Sequence, residues 1–331
     1  MTDSPLDVVC VGNAIVDVLA QTDDAMIEAH GMVKGTMALI DADQAEALYA
    51  AMPQGIETSG GSAGNTAAGL ASLGARCAFI GKVRDDQLGD IFAHDIRAVG
   101  AEFATPAATD GPPTARCLIL ITPDAQRTMN TFLGASVNLG PEDIDEALIA
   151  RAQVTYLEGY LWDRDAAKEA FHRAAAFAHA HDRMVSLSLS DPFCVDRHRE
   201  SFRALVSEHV DILFANEDEI TSLYEADDFD TALQHVRQDC RIAALTRSEK
   251  GAVVVAGDEV HVVDAEPVSA VVDTTGAGDQ FAAGFLHGFT RGDDLATCAR
   301  IGAITAAEVI DHVGPRPQVD LAALVATRLA G

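Results

Sequence analysis

From residue 154 onward the chain alternates short aliphatic, β-branched runs with longer helix-like stretches, an order that few folds accept. Strand-like runs at 154–157, 184–189, 211–215, 243–246, 252–256 and 259–263 share this half with helix-like stretches at 165–181 and 199–208. Strands joined through helices pair in parallel by right-handed crossovers, and the helices cover both sheet faces. Runs at 7–11 and 75–83, with helices at 66–73 and 90–99, carry the pattern toward the N-terminus. With 48% hydrophobic residues but only 5% aromatic ones, the core must be built mainly from Ala, Val, Leu and Ile, which suits strands buried on both faces. The expected fold is α/β, three layers around a mostly parallel sheet. Ligands of such sheets bind outside the carboxyl ends of the strands.

One segment breaks the alternation. Residues 115–122 and 127–133 are two β-rich runs around the turn former Pro123-Asp124-Ala125-Gln126, and read as a hairpin. A hairpin set into an α/β chain makes a flap, and a flap that closes over substrate excludes water. Arg127, at the base of its second strand, is either a clamp for a phosphate or a solvated edge-strand arginine. At 331 residues the chain exceeds one ordinary core, so one large domain with an appended subdomain, or two domains, is expected.

Chemistry concentrates in a few stretches. Asp273-Thr274-Thr275-Gly276-Ala277-Gly278-Asp279 joins a strand-like run at 268–272 to a helix-like one at 281–289. Small residues at 276–278 admit a ligand close to the backbone, and the first N–H groups of the helix can face an anion. A carboxylate beside bound phosphate costs electrostatic energy, which marks Asp279 as a base that accepts a hydroxyl proton during phosphoryl transfer. Two other readings stay open here. Thr275 and Asp279 may be read as a plain helix cap, and Gly276-Ala277-Gly278 as the start of a dinucleotide GxGxxG, although Phe281 stands at its sixth position. Gly60-Gly61-Ser62-Ala63-Gly64-Asn65 likewise precedes a helix of small residues, and no GK[ST] P-loop occurs. Asn13 and Asp17, four apart on an extended strand, would face one way and grip vicinal hydroxyls, or be a turn Asn and a solvated Asp. Asn216-Glu217-Asp218-Glu219 supplies hard oxygens of the kind Mg²⁺ accepts, usually through water, or else an acidic helix start. Thr246 and Ser248 with Gly251 form a turn able to hold a nucleotide. Three of the five asparagines fall in these stretches, which tilts them toward function.

A net charge of −28, with only four lysines, repels nucleic acid and acidic lipid. Partners are therefore expected to be small molecules, with any nucleotide held locally by N–H groups, an arginine and a divalent ion. The six cysteines form no CxxC pair and read as reduced core residues of a cytoplasmic protein. The acidic start at residues 1–7 is no signal peptide, and the uncharged run at 58–75 is too rich in Gly, Ser and Ala to span a membrane.

The 273–279 stretch, with Phe281, Ala283 and Gly284, resembles the C-terminal motif of the ribokinase-like, or PfkB, kinases of sugars and nucleosides, and the 60–65 stretch resembles the N-terminal one. The resemblance covers nearly the whole chain. It implies a single kinase domain over residues 1–331 with a small β lid from segments near 13–41 and 112–133. Gly12-Asn13 with Asp17, and the stretches 187–193 and 211–217, are most similar to the adenosine kinases. By that likeness Asn13, Asp17, Gly61 and Asn65 hold the ribose hydroxyls with Gly60 beside them, and Met37, Met129 and Leu133 pack on the base. Asp279 is the base, and the N–H groups of Gly276, Ala277 and Gly278 form the anion hole; Arg127 is the separate candidate clamp for the transferring phosphate. Asn216 and Glu219 match an Asn-x-x-Glu motif for Mg²⁺ and phosphate. Asp273 and Thr275 match positions that in many members hold an activating monovalent cation such as K⁺. In the Thr-x-Gly-x-x-Gly nucleotide loop, Ser248 replaces the first glycine. The implied reaction is transfer of the ATP γ-phosphoryl group to adenosine, by a monomer or homodimer. Fructose, ribose or 2-keto-3-deoxygluconate are the alternative acceptors. A nucleotide-binding oxidoreductase or a non-catalytic nucleoside binder are the alternatives of another class.

Overall fold

The computed structural model describes residues 4–124 and 126–330, so expectations touching residues 1–3 and Ala125 of the hairpin turn lie outside the described residues. Fourteen strands are present: β1 (Leu6–Val11), β2 (Ile15–Gln21), β3 (Met37–Leu39), β4 (Ile56–Gly60), β5 (Cys77–Ile80), β6 (Glu102–Phe103), β7 (Ala115–Ile121), β8 (Arg127–Phe132), β9 (Ala152–Glu158), β10 (Met184–Ser188), β11 (Ile212–Asn216), β12 (Ile242–Thr246), β13 (Ala252–Ala256) and β14 (Glu259–Val263). Nine of them form the central sheet in the order β14-β13-β12-β11-β10-β9-β1-β5-β6. It is parallel from β6 to β12, and β13 and β14 are added by antiparallel pairing, so that β13 alone runs against the other strands. The alternation of side chains feeds two cores. Leu213 and Ala215 of β11 join Phe171, Phe202 and Leu223 on one face, whereas Ile212 and Phe214 join Leu70, Phe92, Phe281 and Phe285 on the other. This is the three-layer ribokinase-like α/β/α architecture.

The smaller sheet is mixed, in the order β3-β8-β7-β2-β4. One of its faces (Val16, Val18, Ala20, Leu118, Leu120) packs into the main core with Ile27 and Leu48. The register lines up Met37, Met129, Ile119, Leu19 and Ile56 in one row on the other face, with Asp17 beside Cys117 in the next row. Strand β4 lies outside the two segments expected to build this sheet.

Three expectations are corrected. Residues 12–17 are not one strand: β1 ends at Val11, and Gly12, Asn13 and Ala14 carry the chain across to β2 in the other sheet. Residues 268–272 form no strand and pair with neither sheet. The segment is held instead by the end of the helix Leu295–Ile310, with Val271 69% exposed: Ala270 donates its N–H to the Asp311 carboxylate at 3.1 Å, and Val272 and Asp273 donate theirs to the Ile310 carbonyl. The helix placed at 66–73 starts earlier, as Ser62–Ser72, which puts Asn65 in its first turn. All six cysteines are buried and unpaired. Among the described residues no helix is long and apolar enough to cross a membrane.

Candidate active site

Two helix N-termini meet at the carboxyl end of the central sheet. The helix Ala277–Arg291 begins after Gly276, which has φ +80° and leaves no room for a Cβ, since one would stand 2.6 Å from the Pro315 Cβ. Gly278, by contrast, faces open space. One turn in, Asp279 accepts hydrogen bonds from the Ser62 hydroxyl (2.6 Å) and the Asn65 amide (3.0 Å) of the helix Ser62–Ser72. Gln280 locks the two helices together, its buried amide donating to the carbonyls of Asn65 and Pro315, both at 3.0 Å. Burial pushes the Asp279 carboxyl up to about 6, against the hydrogen bonds from Ser62 and Asn65. Asn65 Oδ1 is buried and has no partner, an acceptor waiting for a donor. The Ala277 N–H already reaches the Thr274 carbonyl at 3.2 Å, so of the three expected anion donors this one is partly engaged.

Asp17 approaches from β2. Gly60 lies opposite Ile15, and a Cβ on it would stand 2.4 Å from the Asp17 carboxylate, so its bareness makes room for that side chain. Burial pushes the Asp17 carboxyl up to about 6; Arg316 and Arg127 oppose this and the Asp279 charge adds to it. Gly61, at φ +82°, fits a bend where a Cβ would strike the Asn13 carbonyl at 2.4 Å. Asn13 itself is spent: its Nδ2 donates to Glu158 Oε1 at 2.6 Å, its N–H to Glu158 Oε2 at 3.3 Å, and the Ser136 hydroxyl donates to its Oδ1 at 2.9 Å. Asn13 therefore orients Glu158, which also accepts the Ala63 N–H at 2.8 Å. Burial lifts the Glu158 carboxyl to about 7 against these donors.

Arg127 of β8 pairs with Asp273 of the loop before the anion helix. Its Nε and Nη2 are buried with no partner. Asp273 also accepts N–H groups from Thr275 (3.0 Å) and Gly314 (2.9 Å). Burial alone would raise its carboxyl; these bonds and the Arg127 charge outweigh that and hold it below the usual range. Both Asp273 oxygens thus already accept hydrogen bonds, and a monovalent cation on this carboxylate would stand beside the Arg127 guanidinium.

Asn216 caps the helix Glu217–Tyr224 in a reciprocal box with Glu219, donating its amide at 2.7 Å and accepting the Glu219 N–H at 2.8 Å. The structural alternative for this stretch is present, yet burial still lifts the Glu219 carboxyl to about 7, with repulsion from Asp191, Asp218 and Asp279 adding to it. That excess of negative charge fits a divalent cation, and because Asn216 occupies both Glu219 oxygens, the fit is through water. Among the described residues no group of three or more His, Cys, Asp or Glu is placed to grip a metal directly. Thr246 ends β12 beside Asn216, Ser248 takes φ +51°, and Gly251 takes φ +80° where a Cβ would strike the Val263 carbonyl at 2.0 Å. Met129 and Leu133 pack against the Ile15, Cys117 and Ile119 cluster, and Met37 pairs with Met129 across the strands.

Glu158, Gln280 and Arg316 stand in none of the quoted motifs, and Ser62 lies inside the 60–65 stretch without a role assigned to it. Glu158 is the last residue of β9, so the strand-end rule that singles out Asn216 and Thr246 reaches it as well. Arg316 donates to the Ser59 hydroxyl at 2.8 Å and to Asp95 at 3.3 Å, fastening β4 to the loop after the helix Leu295–Ile310.

Comparison with known proteins agrees with this assembly. The chain is similar to the crystal structure of adenosine kinase from Sinorhizobium meliloti, 53% identical over 99% of this chain and 100% of that one, with a TM-score of 0.89. It is equally similar to the structure of a probable sugar kinase from Rhizobium etli, 51% identical over 99% of both chains, with a TM-score of 0.90. Adenosine kinase of Saccharomyces cerevisiae is 28% identical over 93% of this chain and 95% of its own length. The profile described as pfkB family carbohydrate kinase matches residues 6–321. A match that takes in both glycine motifs, the smaller sheet and the helices between them is more than a helix cap or a dinucleotide turn produces, and the chain belongs to the pfkB family of carbohydrate kinases.

Proposed function

We propose that the protein transfers the γ-phosphoryl group of ATP to the primary hydroxyl of adenosine. Phosphotransfer to a small polyol or nucleoside comes with the family; the acceptor is the proposal. One observation supports the chemistry above all: a half-buried carboxylate, Asp279, stands in the first turn of a helix whose N-terminus is open at Gly278, and an arginine with two unsatisfied donors, Arg127, pairs with Asp273 in the loop that feeds that helix. In this reading the acceptor hydroxyl hydrogen-bonds to Asp279, which takes its proton as the phosphoryl group arrives. Nε and Nη2 of Arg127, with the helix N–H groups, meet the charge of the transferring phosphate. Asp17 and the orphan Asn65 Oδ1 accept from ribose hydroxyls, and Glu158 shapes the loop at Asn13. Glu219, with Asn216, would hold Mg²⁺ through water, where the ion neutralises charge on the phosphates.

The acceptor rests on the smaller sheet. Met37, Met129, Ile119 and Leu19 make an apolar row on the Asp17 face, and Met37 is 51% exposed, which suits a flat base laid over an adaptable surface. A free sugar is the second reading, favoured by the four buried or half-buried acidic groups Asp17, Glu158, Glu219 and Asp279, all able to bind hydroxyls, and by the probable sugar kinase relative. Coupled ADP release across adenosine, inosine, ribose, fructose and 2-keto-3-deoxygluconate separates the two. Adenosine should give the highest kcat/KM; a clear lead for any free sugar ends the nucleoside reading and leaves phosphotransfer standing.

A further inference from the structure

Asp273 and Arg127 bring together two parts of the molecule that share no other ion pair among the described residues. The arginine belongs to β8 of the smaller sheet, the aspartate to the loop that feeds the anion helix, and their side chains are only 7% and 9% exposed. Both oxygens of the carboxylate accept hydrogen bonds, Oδ1 from the Thr275 N–H, Oδ2 from the Gly314 N–H and from Arg127 Nη1, which puts the guanidinium charge directly on Oδ2. A monovalent cation bound here would need this carboxylate as its one anionic ligand. It would also stand against a guanidinium in a poorly solvated place, where like charges repel strongly.

We propose that the Arg127 guanidinium takes the place of a monovalent cation at Asp273, so that the protein neither requires nor specifically binds K⁺. The fixed charge does what a bound ion would do: it neutralises Asp273 and, through Thr275 and Gly314, steadies the loop that feeds the anion helix and the loop after the helix Leu295–Ile310. Unlike an ion, it also ties that loop to β8. Arg127 is here a positioning residue through Nη1, while Nε and Nη2 remain for the phosphate.

The test reads melting temperature as well as turnover, in KCl against tetramethylammonium chloride at equal ionic strength. The unmodified protein should melt at the same temperature and release ADP at the same kcat in both salts. Arg127→Ala, or Arg127→Gln if the first folds poorly, should acquire a saturable rise in melting temperature specific to K⁺, and adding Asp273→Asn should abolish it. A saturable K⁺-specific rise in the unmodified protein overturns the proposal, as does a failure of the Arg127 variants to gain one. The melting readout needs no acceptor, so its failure leaves the kinase reading intact, and an absence of ADP release leaves the melting result intact.

Discussion

In the proposed reaction, Asp279 has to shed its proton before it can take one from an acceptor. Its carboxyl is pushed up to about 6 by burial, so kcat/KM should fall about tenfold per pH unit below roughly pH 6. Asp279→Asn should keep the fold and lose most turnover; near-normal kcat in that variant would remove the residue from the reaction. The same burial makes the ligand-free protein respond to pH in the opposite sense. Asp17 and Asp279 at about 6, and Glu158 and Glu219 at about 7, hold protons more tightly folded than unfolded, where carboxyls titrate near 4. Stability from such groups is lost as pH rises through the folded values. His209 and His287, held low by burial, act the other way, but only up to about 6.5. The melting temperature of the ligand-free protein should therefore decline between about pH 6 and 8, and a flat or rising curve would contradict these environments. None of the four carboxyls announces its burial in the sequence. Asp279 is legible because Gly276 and Gly278 precede it, and Asp17 because it stands four residues from Asn13; Glu158 sits in an apolar run, and only the folded chain brings it to Asn13.

Elements were legible where their residues are buried on both faces. Strands β9 to β13 read directly from Val, Ile, Leu and Ala runs, whereas β4, Ile-Glu-Thr-Ser-Gly, has no such pattern and forms because β2 offers it an edge. Residues 268–272 show the reverse, a strand-like run that joins neither sheet and is held by hydrogen bonds to Ile310 and Asp311. The β12–β13 connection carries a testable strain. Ser248 holds φ +51°, a left-handed conformation that costs a non-glycine residue about 1–2 kcal/mol. Ser248→Gly relieves that strain but adds disorder to the unfolded chain worth about 0.5–1 kcal/mol, so the net gain should be up to about 1 kcal/mol. Equilibrium urea unfolding reads it, and a destabilised variant would show that the serine side chain anchors the turn.

Across the whole molecule, the formal charge of −28 leaves nucleotide binding to the local site. Mg·ATP should raise the melting temperature markedly more than ATP with a chelator, by about 2.7 kcal/mol of stabilisation at a hundredfold excess over Kd, while a nicotinamide cofactor should leave it unchanged. Equal stabilisation by both forms of ATP would count against a metal bridging Glu219 and phosphate. The path of the chain has a further bearing on how such a molecule changes its substrate. Strands β2, β3 and β4 come from one passage and β7 and β8 from another, with β5, β6 and two helices of the central layers between them. The roof over the acceptor is thus woven into the body and cannot be exchanged as a cassette. New acceptors have to be acquired one side chain at a time along rows such as Met37, Met129 and Ile119, while the phosphate end stays as it is. Lineages built this way diverge in diet while remaining nearly superimposable in form.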